Sequence, residues 1–196
     1  MDFQSAEKNI LELLREHLPA TLTYHNFKHT LGVLKAVQEI AKTENVTDEE
    51  QLTLLKTAAL YHDSGFLNVY DRHEEEGCRI VCQVLPGYGY STAQIDVICD
   101  MIMATMLPQS PKTLLEYILC DADLDHLGRE DFYTIGKGLH DEWYNLGRIH
   151  SEDEWNDIQI SFLEKHRYWT NTSQRMRGPG QAKHLEELRQ TKQKKS

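Results

Sequence analysis

Apolar positions recur with helical spacing along nearly the whole chain. Val33, Leu34, Val37, Ile40 and Ala41 follow an i, i+1, i+4, i+7, i+8 pattern. Thr47 and Glu50 have capping-box spacing ahead of Leu52, Leu55, Ala58 and Ala59. Gly65 is placed to stop that helix as a C′ glycine. Ile80, Val81, Val84 and Leu85 form a further stripe ended by Pro86. Ser91 and Gln94 make a second box before Ile95, Ile98, Cys99, Ile102, Met103 and Met106. Ser110-Pro111 reads as an N-cap with proline at N1, opening a helix with Leu114, Leu115, Ile118 and Leu119. Phe132, Ile135, Leu139, Trp143 and Leu146 continue the pattern, and Ser151 with Glu154 makes a third box before Trp155, Ile158 and Phe162. The short Gly/Pro clusters at 86–89, 108–111 and 178–180 read as turns. No segment alternates with period two over a useful length. The expected fold is therefore all-α, a compact multi-helix bundle of about eight helices. Such a bundle hosts a site between helices, marked by polar residues that face inward.

Composition narrows the function classes. The chain has 196 residues, with 21 Lys plus Arg against 31 Asp plus Glu, a formal net charge of −10. Forty per cent of the residues are apolar, too many for a disordered chain. The expected organisation is one domain over residues 1–190, with a basic tail at 191–196. No apolar run approaches the roughly 18 residues of a membrane span. The first residues do not form a secretory signal, and a cytoplasmic location is expected. The acidic balance argues against a nucleic-acid polymer as partner, because phosphate backbones need stripes of Lys and Arg. A small phosphorylated substrate remains compatible if another group supplies positive charge. Cys78, Cys82, Cys99 and Cys120 form no CxxC pair and are expected to be buried, reduced thiols. Tyr and Trp residues in the C-terminal half leave a homo-oligomer open.

The candidate chemistry lies where histidine and aspartate interrupt apolar faces. His62 falls on the stripe of Leu55 and Ala59, with Asp63 directly after it. A lone histidine there would read as hydrogen-bonded core. A His-Asp pair is harder to satisfy, because a buried carboxylate without a partner costs several kcal/mol. The second cluster runs Tyr24-His25-Asn26-Phe27-Lys28-His29. Asn26 as N-cap puts His29 in the first turn and His25 just outside it. The third cluster is Cys120-Asp121-Ala122-Asp123-Leu124-Asp125-His126, where either Asp121 or Asp123 suits an inward position. Together His29, His62, Asp63 and one of Asp121 or Asp123 make a mixed nitrogen and oxygen set. It suits a borderline or hard divalent metal such as Mn, Fe, Co, Zn or Mg, and is not a soft thiolate site. A divalent ion so held lowers the pKa of bound water and polarises a phosphoryl oxygen. It also supplies the attraction for an anion that the acidic surface does not.

At this point the sequence resembles the HD superfamily of metal-dependent phosphohydrolases, whose pattern is H…HD…D on an all-helical fold. Here the pattern reads His29…His62-Asp63…Asp123, within a motif region of residues 24–127. The opening Tyr24-His25-Asn26-x-x-His29-Thr30 also resembles the cyclic-nucleotide phosphodiesterase branch. The resemblance implies that His29, His62, Asp63 and Asp123 hold the metal, with Asp121 as the runner-up to Asp123. It implies that His25 protonates the leaving oxygen while a metal-activated water attacks phosphorus. It puts His73 and Glu74 where other members place a group that helps the substrate or a second metal. Lys28, Arg72 and His73 are candidates for neutralising phosphate oxygens, as are Arg175, Arg177 and Lys183 if the C-terminal segment folds back. The expected activity is hydrolysis of a phosphomonoester or phosphodiester of a nucleotide or other small phosphorylated molecule. Two other readings compete. One is a catalytically silent metal-binding signalling module. The other is a di-iron oxygenase, which needs two histidines between Asp63 and Asp123, where only His73 occurs.

Overall fold

The computed structural model describes residues 1–195, and its nine α-helices carry no strand among them. They are α1 (Phe3–His17), α2 (Phe27–Thr43), α3 (Glu49–Tyr61), α4 (His73–Val84), α5 (Thr92–Thr105), α6 (Leu114–Asp123), α7 (Phe132–Asn145), α8 (Glu152–Lys165) and α9 (Asn171–Lys195). Single 3₁₀ turns occupy Ser64–Leu67, Leu85–Tyr88 and Asp125–Gly128. The segment expected as a tail continues α9 through Lys195, while Ser196 lies outside the described residues.

Local chemistry explains most of the boundaries. Asn26 caps α2 by accepting from the backbone N–H groups of Lys28 and His29. The Ser91–Gln94 box is reciprocal. Three expected starts and stops differ. Asp48, not Thr47, caps α3, its carboxylate accepting from Gln51 N at 2.8 Å. Thr113, not Ser110, caps α6, because the Glu116 carboxylate reaches back to Lys112 N and Thr113 Oγ1 and fixes the start there. Ser151 caps α8, but Glu154 takes His150 N instead of closing a box.

Gly65 does not end a helix in a left-handed conformation. Helix α3 stops at Tyr61, and Gly65 sits within the next turn, where a Cβ would lie 1.9 Å from the His73 carbonyl oxygen. Glycine is needed for close approach, and α4 begins against it. The 178–180 cluster, expected as a turn, lies inside α9. Its Gly180 crosses Gly128 so closely that a Cβ would stand 2.1 Å from the Gly128 oxygen. The cysteines are all free, but they are not all buried: Cys120 is, Cys78 and Cys99 are partly covered, and Cys82 is exposed.

Two apolar clusters organise the packing. The larger gathers Ala6, Ile10, Val37, Ala58, Ile98 and Ile118 with their neighbours from α1 to α6. The smaller joins Leu124, Leu127, Phe132, Leu163, Tyr168 and Leu188, from the end of α6 to α9. Ala122 belongs to the first and Leu124 to the second, so Asp123 stands at the seam. The stripe on α7 is only partly covered: Phe132 is buried, but Leu139 and Trp143 are not. No helix among the described residues is long and apolar enough to cross a membrane.

Two outcomes follow from this packing. Gly65→Ala is expected to cost about 2–3 kcal/mol by overpacking against backbone that has no free end to move, read as a lower unfolding midpoint. His166, buried beside Phe162 with an unpartnered Nε2, is held by burial at a pKa of about 4 instead of 6.5. Folded and unfolded chains are both neutral there at pH 8. Below pH 6.5 the unfolded chain takes up a proton that the folded one refuses until about pH 4. His166→Phe is therefore expected to gain stability over the unsubstituted chain by roughly 3 kcal/mol as pH falls from 7 to 4. Urea titrations at several pH values measure it.

Candidate metal centre

Three helix ends deliver the four predicted residues to one point. Helix α3 runs apolar to its end and presents His62 and Asp63 as it stops. The first turn of α2, fixed by Asn26, presents His29. The last residue of α6 is Asp123. His29 Nε2 lies 3.1 Å from Asp123 Oδ1, 3.3 Å from His62 Nε2 and 3.3 Å from Asp63 Oδ2. His62 Nε2 lies 3.2 Å from Asp63 Oδ2 and 3.6 Å from Asp123 Oδ1. Ligands about 2.1 Å from one ion stand about 3.0–3.4 Å apart at neighbouring positions, so all but the 3.6 Å separation are compatible with a shared cation. The donor atoms of His29, His62 and Asp123 all fall within 4.8 Å of one another.

The electrostatics ask for a positive charge. Burial pushes both carboxyls upward, yet Asp63 ends well below the usual carboxylate range because of His62. Asp123 also ends below it, through His29 and His62. Burial pushes His62 downward, yet the two aspartates carry it well above the ordinary imidazole value. Asp63 Oδ2 is buried, with close contacts but no hydrogen bond. His62 donates from Nδ1 to the Ala59 carbonyl at 2.8 Å, which leaves Nε2 as the nitrogen that faces the cluster. An orphaned carboxylate oxygen and two converging Nε2 atoms fit a borderline or hard divalent ion.

A second group adjoins this cluster. Glu142, wholly buried on α7, accepts from His25 Nδ1 at 2.5 Å, from His25 N at 3.1 Å, from Tyr24 N at 2.9 Å and from the Tyr70 hydroxyl at 2.7 Å. Burial raises the Glu142 carboxyl, but these donors outweigh it and hold it below its ordinary value. The His25 ring stacks on Phe66 at 4.3 Å, and His73 stacks on Phe66 at 3.9 Å, with the two imidazoles 6.1 Å apart. His73 Nε2 lies 3.4 Å from Asp63 Oδ1 and 3.5 Å from Glu74 Oε1. Burial lowers the His73 pKa and Asp63 raises it, with a net upward shift. On the opposite side, burial and the neighbouring His29 hold His126 down at about 3, with the Tyr24 hydroxyl 3.4 Å from its Nδ1.

The choice between the two aspartates is made by hydrogen bonds. Asp121 is spent on Trp169 N, Thr170 N and Thr170 Oγ1, at 2.7–2.8 Å, which fastens the start of α9. It points away from the cluster that Asp123 completes. The C-terminal cations are not at the site. Arg177 pairs with Asp125 at 2.6 Å, Lys183 pairs with Glu187 at 3.7 Å, and Arg175 is exposed on α9. Lys28 and Arg72 remain, each on the wall of a cavity, Arg72 also held by Glu75. Sequence reasoning missed Glu142 and Tyr70. Glu142 sits three residues after Leu139 and seven after Ile135, so a carboxylate on the α7 stripe was the available signal. Tyr70 carried none.

Two cavities flank the cluster and share Tyr24, Asp123 and His126. One of about 350 Å³ reaches Lys28, His29 and Arg129; the other, about 430 Å³, reaches His25, Asp63, His73 and the gap between α7 and α8. The structure is similar to the crystal structure of a predicted HD superfamily hydrolase from an uncultured Thermotogales bacterium. The TM-score is 0.63 at 22% identity, over 96% of this chain and 92% of that one, a likeness of fold. No curated protein matches the chain. Residues 26–127 match the HD domain family, a stretch that holds His29, His62, Asp63 and Asp123 and spans more than half of the sequence. The chain thus belongs to the HD domain family.

Proposed function

We propose that the protein is a metal-dependent phosphohydrolase acting on a phosphomonoester or phosphodiester of a nucleotide or another small phosphorylated molecule. The observation that carries this reading is the convergence of two imidazole nitrogens and two carboxylates on one buried point, beside a histidine oriented by a buried glutamate. His29, His62, Asp63 and Asp123 would hold the ion. A divalent cation bound there supplies Lewis acidity toward a phosphoryl oxygen and lowers the pKa of water.

The chain's own residues supply the rest. Glu142 accepts the Nδ1 proton of His25, so Nε2 is the nitrogen left to give a proton to the substrate. Tyr70 and the Tyr24 backbone fix that carboxylate, and Phe66 holds the ring plane. In the reaction, water oxygen forms a new bond to phosphorus as the bond from phosphorus to the alcohol oxygen breaks. His25 gives its proton to that departing oxygen and regains one from the attacking water. His73 and Arg72 border the cavity from the Asp63 side and Lys28 from the other, where they offset charge on phosphate oxygens. A small substrate suits the net charge of −10, since only a local cation draws an anion to this surface.

The test is a panel of mononucleotides, cyclic nucleotides and aryl phosphates, run with Mn, Co, Mg and no metal. Metal-dependent turnover of at least one class is expected, and silence with every ion would reject the reading. Asp63→Ala and His62→Ala are each expected to weaken metal binding by more than about 100-fold and to remove hydrolysis with it, read by metal analysis and phosphate release. His25→Ala is expected to keep its metal while kcat falls roughly 10²–10⁴-fold. Glu142→Gln, which leaves His25 without an anionic partner, is expected to give a smaller fall in kcat with the metal again retained.

A further inference from the structure

The cavity of about 430 Å³ continues past the cluster into the space between α7 and α8. Its inner wall is made by Leu127, Phe132, Leu139, Trp155, Ile158 and Phe162. All but Leu127 come from the apolar stripes of these two helices, which in most bundles close on one another. Here they stand apart. Trp143 and Trp155 touch edge to face at 5.9 Å across the gap, and Gly136 replaces a side chain that would enter it. The rim is apolar as well: Met106 and Leu107, 40% and 58% exposed, border the mouth near Asp63 and Asp123. Gln159 is the one amide among the lining residues, with its Nε2 3.2 Å from where a Cβ at Gly136 would stand. Of the charged residues on the wall, Asp63, Glu74 and Asp123 lie at the cluster end, and Asp71, Arg72 and Arg148 belong to the outer part, where Arg148 lies over Tyr70 at 4.4 Å and pairs with Asp71.

We propose that this cavity takes the organic part of the substrate and that this part is an apolar, ring-bearing group. The inference rests on the phosphohydrolase reading and narrows its substrate class. A phosphate at the cluster leaves its ester oxygen toward His25, and the group on that oxygen runs along Phe66 into the α7–α8 space. A nucleobase presents several hydrogen-bonding positions on its edge, and the inner wall answers with one amide. Each polar position left unpaired weakens binding roughly 5- to 150-fold. A fused aromatic hydrocarbon leaves none unpaired and meets Phe132, Trp155 and Phe162 with ring faces and edges.

The experiment compares phosphates of primary alcohols, so that leaving-group acidity is matched: 2-naphthylmethyl phosphate, 5′-AMP and ribose 5-phosphate, each with saturating Mn. The expected result is a kcat/KM for the naphthylmethyl ester at least tenfold above the other two. Leu139→Trp, which fills the cavity, is expected to remove at least nine-tenths of that advantage. Gln159→Leu guards against a Leu139 variant that fails to fold, and it is expected to keep or increase the naphthyl preference. Fluorescence titration with 2-naphthylmethanol, which carries no phosphate, reads the cavity without catalysis, and Leu139→Trp is expected to weaken it at least tenfold. Preference for 5′-AMP, with a tenfold loss of it in Gln159→Leu, would overturn the proposal, as would failure of 2-naphthylmethanol to bind. If no ester is hydrolysed while 2-naphthylmethanol binds in a Leu139-sensitive manner, the apolar cavity stands and the phosphohydrolase reading falls.

Discussion

Two carboxylates removed from water at the meeting point of three helix ends set the terms for the rest of the structure. Asp63 and Asp123 are each driven toward neutrality by burial; His62 and His73 keep the first ionised, and His29 and His62 the second. The return effect appears in His62, which burial would strip of its proton and the aspartates protect. Such an arrangement is expensive unless the charge is met on all sides. The chain meets it with apolar helix on the outer side, a backbone carbonyl behind His62, and an open cavity on the inner side. Everything that positions these four groups therefore bears on the site: the Asn26 cap under His29, the stop of α3 at Tyr61, and the end of α6 between the two cores.

The seam between the cores gives the site its asymmetry. Toward the larger cluster the helices close fully around Ala58, Ile98 and Ile118. Toward the smaller one the α7 stripe stays partly open, and Glu142 is a buried polar anchor there, with Thr23 Oγ1 donating to the Gly138 carbonyl beside it. That single carboxylate ties α7 to the loop before α2 and to Tyr70 through four hydrogen bonds. It both orients His25 and keeps α7 in reach of the cluster. The ring order His25, Phe66, His73 then links the proton-bearing side of the site to the Asp63 side by direct stacking.

Much of this was legible in the pattern of residues, for physical reasons. Period-3.6 stripes reveal helices because burial of one face is what holds a helix in place, and His62, Asp63, His29 and Asp123 stood out by breaking that burial rule. What was not legible depended on partners far away in sequence. Asp121 and Asp123 are both compatible with an inward face, and only the hydrogen bonds from Trp169 and Thr170, almost fifty residues on, separate them. Gly65 looked like a helix stop because glycine serves turns and tight contacts alike; its reason is the His73 carbonyl. The 178–180 segment looked like a turn on composition, whereas tertiary contact with Gly128 keeps it helical. The cations of α9 resembled phosphate ligands until Asp125 and Glu187 were seen to hold two of them.

The bond between Asp121 and the 169–170 segment has a bearing on how the protein is made. Every donor to the cluster has left the ribosome once residue 126 is out, yet the groups that satisfy Asp121, two positions before Asp123, emerge more than forty residues later. Until then Asp121 lacks the donors that hold it in the folded chain. The end of α6 therefore has its full set of hydrogen bonds only once the segment at 169–170 has been made.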